Sequence, residues 1–172
     1  IIAPPTSGTT DAWNSLVMNK GCSKAAKSLF GDKAKKECAK MREDGYAVEA
    51  GENDTLIVQK LAANPDAYGF FGYSYYLANK DKIKAAAING VKPSLEGIQD
   101  YSYPIARPLF FYAKKAHVGV VPGLKEFLDA FTSKKAMGSR GYLTDIGLVP
   151  LASDKYKVTR TAAKDLVTIN LK

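Results

Sequence analysis

The sequence predicts an α/β protein, and three observations carry that expectation. Apolar residues recur at i, i+3, i+4 in some segments, as helices require; short runs rich in aromatic and β-branched residues lie between them, as strands require; and glycine or proline punctuates almost every junction, so the two kinds alternate. The 172 residues are 46% apolar and 24% charged, which excludes a disordered tail, a collagen-like rod and a disulfide-dense miniprotein. The length suits one packed domain or two small lobes. No apolar run approaches the roughly 20 residues of a membrane-spanning helix.

The elements follow in order. Ile1-Ile2-Ala3 reads as the end of a strand, as if the chain starts inside a fold. Pro4-Pro5 and Thr6 to Asp11 lead into a helix that Gly21 ends; Trp13, Leu16 and Val17 make its buried stripe, with Thr9 or Thr10 as its N-cap and Asp11 at the positive end of its dipole. A basic helical region spans 23–44, and Tyr46–Val48 a short strand. A helix over Thr55–Ala63 stops before Asn64-Pro65. The aromatic, glycine-rich run Tyr68–Tyr76 reads as a strand, Leu77–Lys82 as a helix, Ile83–Ile88 as a strand ending in an Asn89-Gly90 turn, and 93–100 as irregular loop. Leu109–Lys114 is a strand entered through Pro104 and Pro108. Leu124, Phe127, Leu128 and Phe131 give the clearest amphipathic helix, 141–151 reads as loop and short extended pieces, and a last helix runs from about Lys155 to Leu166.

Chemistry concentrates in Thr6-Ser7-Gly8-Thr9-Thr10, between a strand and a helix. Such a junction aims backbone N–H groups, hydroxyls and a helix dipole at one point, a setting for a tetrahedral oxyanion. No Gly-Lys-Ser/Thr follows, so it is not a Walker loop, and the same residues also serve as an ordinary helix cap. With a single histidine, His117, and no Cys-x-x-Cys, neither a zinc set nor a Ser-His-Asp hydrolase assembles readily; no cofactor or metal is expected. Asp44, Glu49 and Glu52 are close in sequence but define no acid–base pair. Cys22 and Cys38 can form one bridge or remain thiols; their polar surroundings favour the bridge.

Lys+Arg number 25 against 17 Asp+Glu, a net charge of +8, and many of the cations cluster between Lys20 and Arg42. Basic clusters bind phosphate backbones, but this one holds a single arginine and no interleaved aromatic platform, so nucleic acid is not expected as the partner.

Four segments, in order, resemble the periplasmic phosphate-binding proteins of high-affinity phosphate ABC transporters: Pro5–Trp13, Asn64–Tyr73, Tyr103–Phe110, and Gly141–Leu143 with Val149–Leu151. The resemblance implies a type II periplasmic binding protein, with a mixed sheet flanked by helices in each of two lobes that close on phosphate. It implies a non-enzymatic, periplasmic solute-binding component that delivers inorganic phosphate to a membrane permease. The family's Ser-Gly-Thr phosphate donors match Ser7, Gly8 and Thr9, with Thr6 and Thr10 flanking. On that basis residues 1–104 are lobe two, and 105–172 the crossover and the segment returning to lobe one, whose N-terminal part is expected to be missing. The family's arginine before the motif has no counterpart: Ala3, Pro5 and Thr6 stand there, and Arg107, in a motif of its own, is not carried over. Rival readings are another oxyanion such as sulfate or molybdate, a basic surface for nucleic acid or other polyanions, and, least favoured, a phosphate-ester hydrolase.

Overall fold

The computed structural model describes residues 1–169, so the last three positions of the 105–172 segment lie outside the described residues. The chain forms two compact units, Ile1–Pro93 with Tyr103–Arg107, and Ser94–Ser102 with Pro108–Lys172.

The first unit holds α1 (Gly8–Trp13), α2 (Asn19–Gly21), α3 (Lys24–Phe30), α4 (Ala34–Cys38), α5 (Asp54–Ala63) and α6 (Tyr73–Ala78). A π-helical turn, Asn14–Met18, joins α1 to α2 with right-handed helical backbone at both junctions. The core is small. Ile2 makes one parallel bridge to Glu49: its amide donates to the Val48 carbonyl at 3.0 Å, and its carbonyl accepts from the Ala50 amide at 2.9 Å. This brings buried Ala3 and Ala50 onto Ile57 of α5, which is fully buried, with Ile1, Leu61 and Phe71 packed around them. Gly69 is needed there, because a Cβ at that position would lie 2.9 Å from Leu61 Cδ1 and 3.1 Å from the Ile1 carbonyl oxygen. Its neighbour Phe70 stacks on Trp13, ring centroids 4.4 Å apart, tying α1 to the 68–71 segment.

The second unit holds α7 (Leu95–Gln99), α8 (Leu124–Phe131), α9 (Lys134–Met137), α10 (Tyr142–Asp145) and α11 (Ser153–Lys164). Gly123 opens α8 in the left-handed region (φ 80°). Of the stripe on α8, Leu128 is buried, while Phe127 and Phe131 cluster with Phe111 at centroid distances of 5.1 to 5.8 Å. Arg160 of α11 reaches the C-terminal end of α8. Its guanidinium donates to the Asp129 carbonyl, the Asp129 carboxylate and, at 2.6 Å, the Thr132 hydroxyl. Tyr156 adds a hydrogen bond from its hydroxyl to the Thr132 carbonyl at 3.1 Å.

The expected α/β architecture with its mixed sheet is corrected by this structure. Among the described residues there is no strand, only isolated bridges at Ile2–Glu49, Ile88–Val91 and Val118–Val121. The segments read as strands over 68–76, 83–88 and 109–114 are rich in residues that tolerate extension, but a ladder also needs a partner strand in register. Leu109 to Tyr112 join no strand and leave their side chains exposed, behind two prolines that have no N–H to donate. Over 73–78 a helix forms instead, where the Gly72 amide donates to Asp54 Oδ2 at 3.1 Å and starts α6 against α5. The 93–100 and 141–151 stretches, expected irregular, contain α7 and α10. The Asn89-Gly90 turn is present, closed by Ile88 and Val91 exchanging backbone hydrogen bonds at 2.9 and 3.0 Å.

Candidate oxyanion-binding site

The loop before α1 is built in three steps. The bridge at Ile2 fixes where the chain leaves the core. Pro4-Pro5-Thr6-Ser7 then turns, with the Ser7 amide donating to the Pro4 carbonyl at 2.9 Å and Pro5 at the position where a fixed φ favours such a turn. Finally Thr10, buried, donates its hydroxyl to the Ala3 carbonyl at 2.9 Å and latches the first helical turn back onto the exit of the bridge. A buried carbonyl left unpaired costs about 1–3 kcal/mol, so the latch defines the loop's shape.

The five expected residues therefore differ in what they have left to offer. Ser7, not Thr9 or Thr10, is the N-cap: its backbone is extended (φ −75°, ψ 133°) and its Oγ accepts from the Thr9 amide at 3.2 Å. The hydroxyl proton of Ser7 is not used by that bond. The amides of Gly8 and Thr10 have no acceptor within the helix, because the first turn of a helix supplies none. Gly8 is exposed and nothing lies within 4 Å of where its Cβ would sit, so an anion can approach its backbone. Thr9 is half-buried. The Thr10 hydroxyl proton is committed to Ala3, and Thr6 donates to Glu52 Oε1 at 2.9 Å.

Two charged groups beside this loop were not in the expected set. Arg107 places Nη2 3.4 Å from the Gly8 carbonyl oxygen, ninety-nine residues away in sequence, and brings a guanidinium to a loop that has no cation of its own. Glu52, held by Thr6, puts a carboxylate at the opposite sign nearby. No local sequence signal joins either to residues 6–10; both are placed by the tertiary fold.

The other expected features sit elsewhere. Cys22 and Cys38 are joined in a disulfide with Cα atoms 5.7 Å apart, and Cys22 is buried. His117 lies exposed in a short 3₁₀ turn, Lys115–His117. Asp44 is engaged by Arg42, whose guanidinium holds its carboxyl below the usual carboxylate range, and it forms no pair with Glu49 or Glu52 in the described residues. Among the described residues no group of three His, Cys, Asp or Glu side chains could hold a metal ion, and no helix is long and apolar enough to cross a membrane.

Residues 1–135 match the family model described as a PBP superfamily domain. Protein SphX of Synechococcus elongatus is 33% identical over 168 residues, covering 91% of this chain and 41% of that protein. A phosphate-binding protein PstS of Staphylococcus saprophyticus is 26% identical, covering 93% of this chain and 43% of its own length. The PstS of Staphylococcus aureus strain USA300 is 28% identical, covering 77% and 41%. The chain thus spans about two-fifths of the length of the curated relatives it matches. No solved structure matches.

Proposed function

The chain belongs to the PBP superfamily, and from that premise we propose that it is part of a solute-binding protein that captures inorganic phosphate outside the cytoplasmic membrane and delivers it to an ABC permease, without catalysing a reaction. The observation that carries the reading is the start of α1. There the Ser7 cap, the open Gly8 backbone and the half-buried Thr9 make up the helix N-terminus, with Arg107 beside it. Relatives named phosphate-binding proteins support the choice of phosphate.

On this reading Ser7 and Thr9 donate hydroxyl hydrogens to phosphate oxygens, and the Gly8 and Thr10 amides add backbone donors aligned with the dipole. Thr6 and Thr10 act through the loop's shape, since their own protons go to Glu52 and Ala3. Arg107 supplies the compensating positive charge that the residues preceding Ser7 lack. These donors reach one side of a tetrahedral ion, and an ion with oxygens left in water is bound weakly.

Titration of the chain with inorganic phosphate, followed through the backbone amide resonances of Gly8, Thr9 and Thr10, tests this. Shifts confined to the 6–11 loop and to Arg107, saturating in the millimolar range, are expected. A longer protein of the relatives' length is expected to bind far more tightly. Saturation of this chain at micromolar phosphate overturns the one-sided site, and shifts centred elsewhere overturn the site itself.

A further inference from the structure

The lysine-rich stretch between α2 and the end of α4 is unused by phosphate capture. Residues 20–40 hold seven lysines against Asp32 and Glu37, a net +5 of the chain's +8. All seven lysine side chains are exposed, and among the described residues none has a carboxylate within ion-pairing distance; the neighbouring Arg42 is already engaged by Asp44. The disulfide closes 22–38 into a loop, and Phe30 stands at its midpoint, eight residues from either cysteine. Here α3 ends and Gly31 (φ 52°) turns the chain into α4. Against the usual economy of apolar surface, Leu29 is 77% exposed and Phe30 42% exposed at this bend.

We propose that this disulfide-closed helical loop docks on anionic phospholipid surfaces, its lysines pairing with headgroup phosphates and Leu29 and Phe30 entering the headgroup–acyl boundary. Lysines at a charged membrane surface contribute additively over a Debye length of about 10 Å, and an adjacent leucine and aromatic ring add apolar burial that a soluble polyanion cannot provide. That apolar pair is what favours lipid over nucleic acid, together with the lack of arginine forks among residues 20–40. The closed loop keeps its bend and both lysine-bearing helices presented together, whatever the state of the phosphate site.

Flotation with vesicles tests it. The chain is expected to float with phosphatidylcholine vesicles containing about one-third phosphatidylglycerol at 50 mM salt, not with phosphatidylcholine alone, and to be released by 0.5 M salt. Lys33→Glu with Lys36→Glu is expected to weaken binding by at least about twentyfold, since each lysine near such a surface contributes roughly fivefold. Leu29→Ser with Phe30→Ser is expected to weaken it several-fold while leaving retention on a heparin column unchanged. Equal flotation with uncharged vesicles, no flotation with anionic ones, or full binding by the Leu29/Phe30 variant each overturns the proposal. So does an oligonucleotide that binds more tightly than the vesicles and displaces them, which would make the surface a nucleic-acid binder. Phosphate titration of the same variants is expected to match the wild type.

Discussion

Ser7 does two things that one substitution cannot separate, and a pair of substitutions can. As N-cap, its Oγ accepts from the Thr9 amide at 3.2 Å; as a proposed ligand, its hydroxyl donates to phosphate. Ser7→Ala removes both, and loss of a serine cap costs about 1 kcal/mol, which is about 2–4 °C in the melting temperature of a chain this size. Ser7→Asp keeps the cap, because aspartate is as good an acceptor there and suits the helix dipole. It also puts a carboxylate where the anion would sit. Two like charges about 4 Å apart repel by about 1 kcal/mol in bulk water and about 4 kcal/mol near a protein surface, so phosphate binding falls by about fivefold to several hundredfold. Thermal unfolding by circular dichroism reads the cap, and the amide shifts of Gly8 and Thr9 under phosphate read the ligand. Ser7→Asp should therefore be as stable as wild type and need at least about fivefold more phosphate for the same amide shifts. If it responds as the wild type does, the ion does not sit at this helix start; if Ser7→Ala melts unchanged, the cap does not hold the loop.

Further outcomes follow from other contacts. Replacing Cys22 and Cys38 by serine releases a loop of sequence separation 16, worth about 3 kcal/mol of closure entropy. Hydrogen exchange over residues 23–38 should accelerate by about a hundredfold, with 54–63 little affected. Arg160→Met removes three hydrogen bonds to the end of α8 and should destabilise the second unit by about 1–3 kcal/mol. Arg160→Lys should recover only part of that, because an ammonium lacks the planar fork; exchange protection in α11 is the readout. Glu52→Gln removes the carboxylate beside Thr6 and should shift competition towards sulfate over phosphate. A fully deprotonated ion gains most from losing a nearby negative charge, whereas protonated phosphate can donate to it; an unchanged sulfate-to-phosphate ratio refutes a role for Glu52.

Local patterning carried much of the helical content. The i, i+3, i+4, i+7 spacing of Leu124 to Phe131 defines α8, and Asn53 with Asp54 marks the start of α5. The hydroxyl-rich loop was legible as a helix start because Ser, Gly and Thr before an apolar stripe have few other uses. What failed were the strands. Runs such as Leu109–Tyr112 announce a preference for extension, but pairing is a property of two segments, and nothing in one of them says whether a partner in register is present. The cap fell at Ser7 rather than Thr9 or Thr10 because Thr10's hydroxyl is drawn inward by Ala3, a contact made through the bridge at Ile2. The place of Arg107 and Glu52 beside the loop was not legible for the same reason: their neighbours are distant in sequence.

Arg107 comes from a five-residue visit, Tyr103–Arg107, that the chain makes to the first unit before leaving it again. A synthetic peptide reproducing residues 1–21 would lack both the 48–50 partner of the Ile2 bridge and the guanidinium, so on the proposed reading attempts to transplant the 6–10 loop as a linear epitope should fail. Trimming the protein after residue 93 should cost affinity although it spares every hydroxyl of the 6–10 loop. On the proposed reading, the positive charge at the ion site depends on a segment that the chain delivers ninety-nine residues after Gly8.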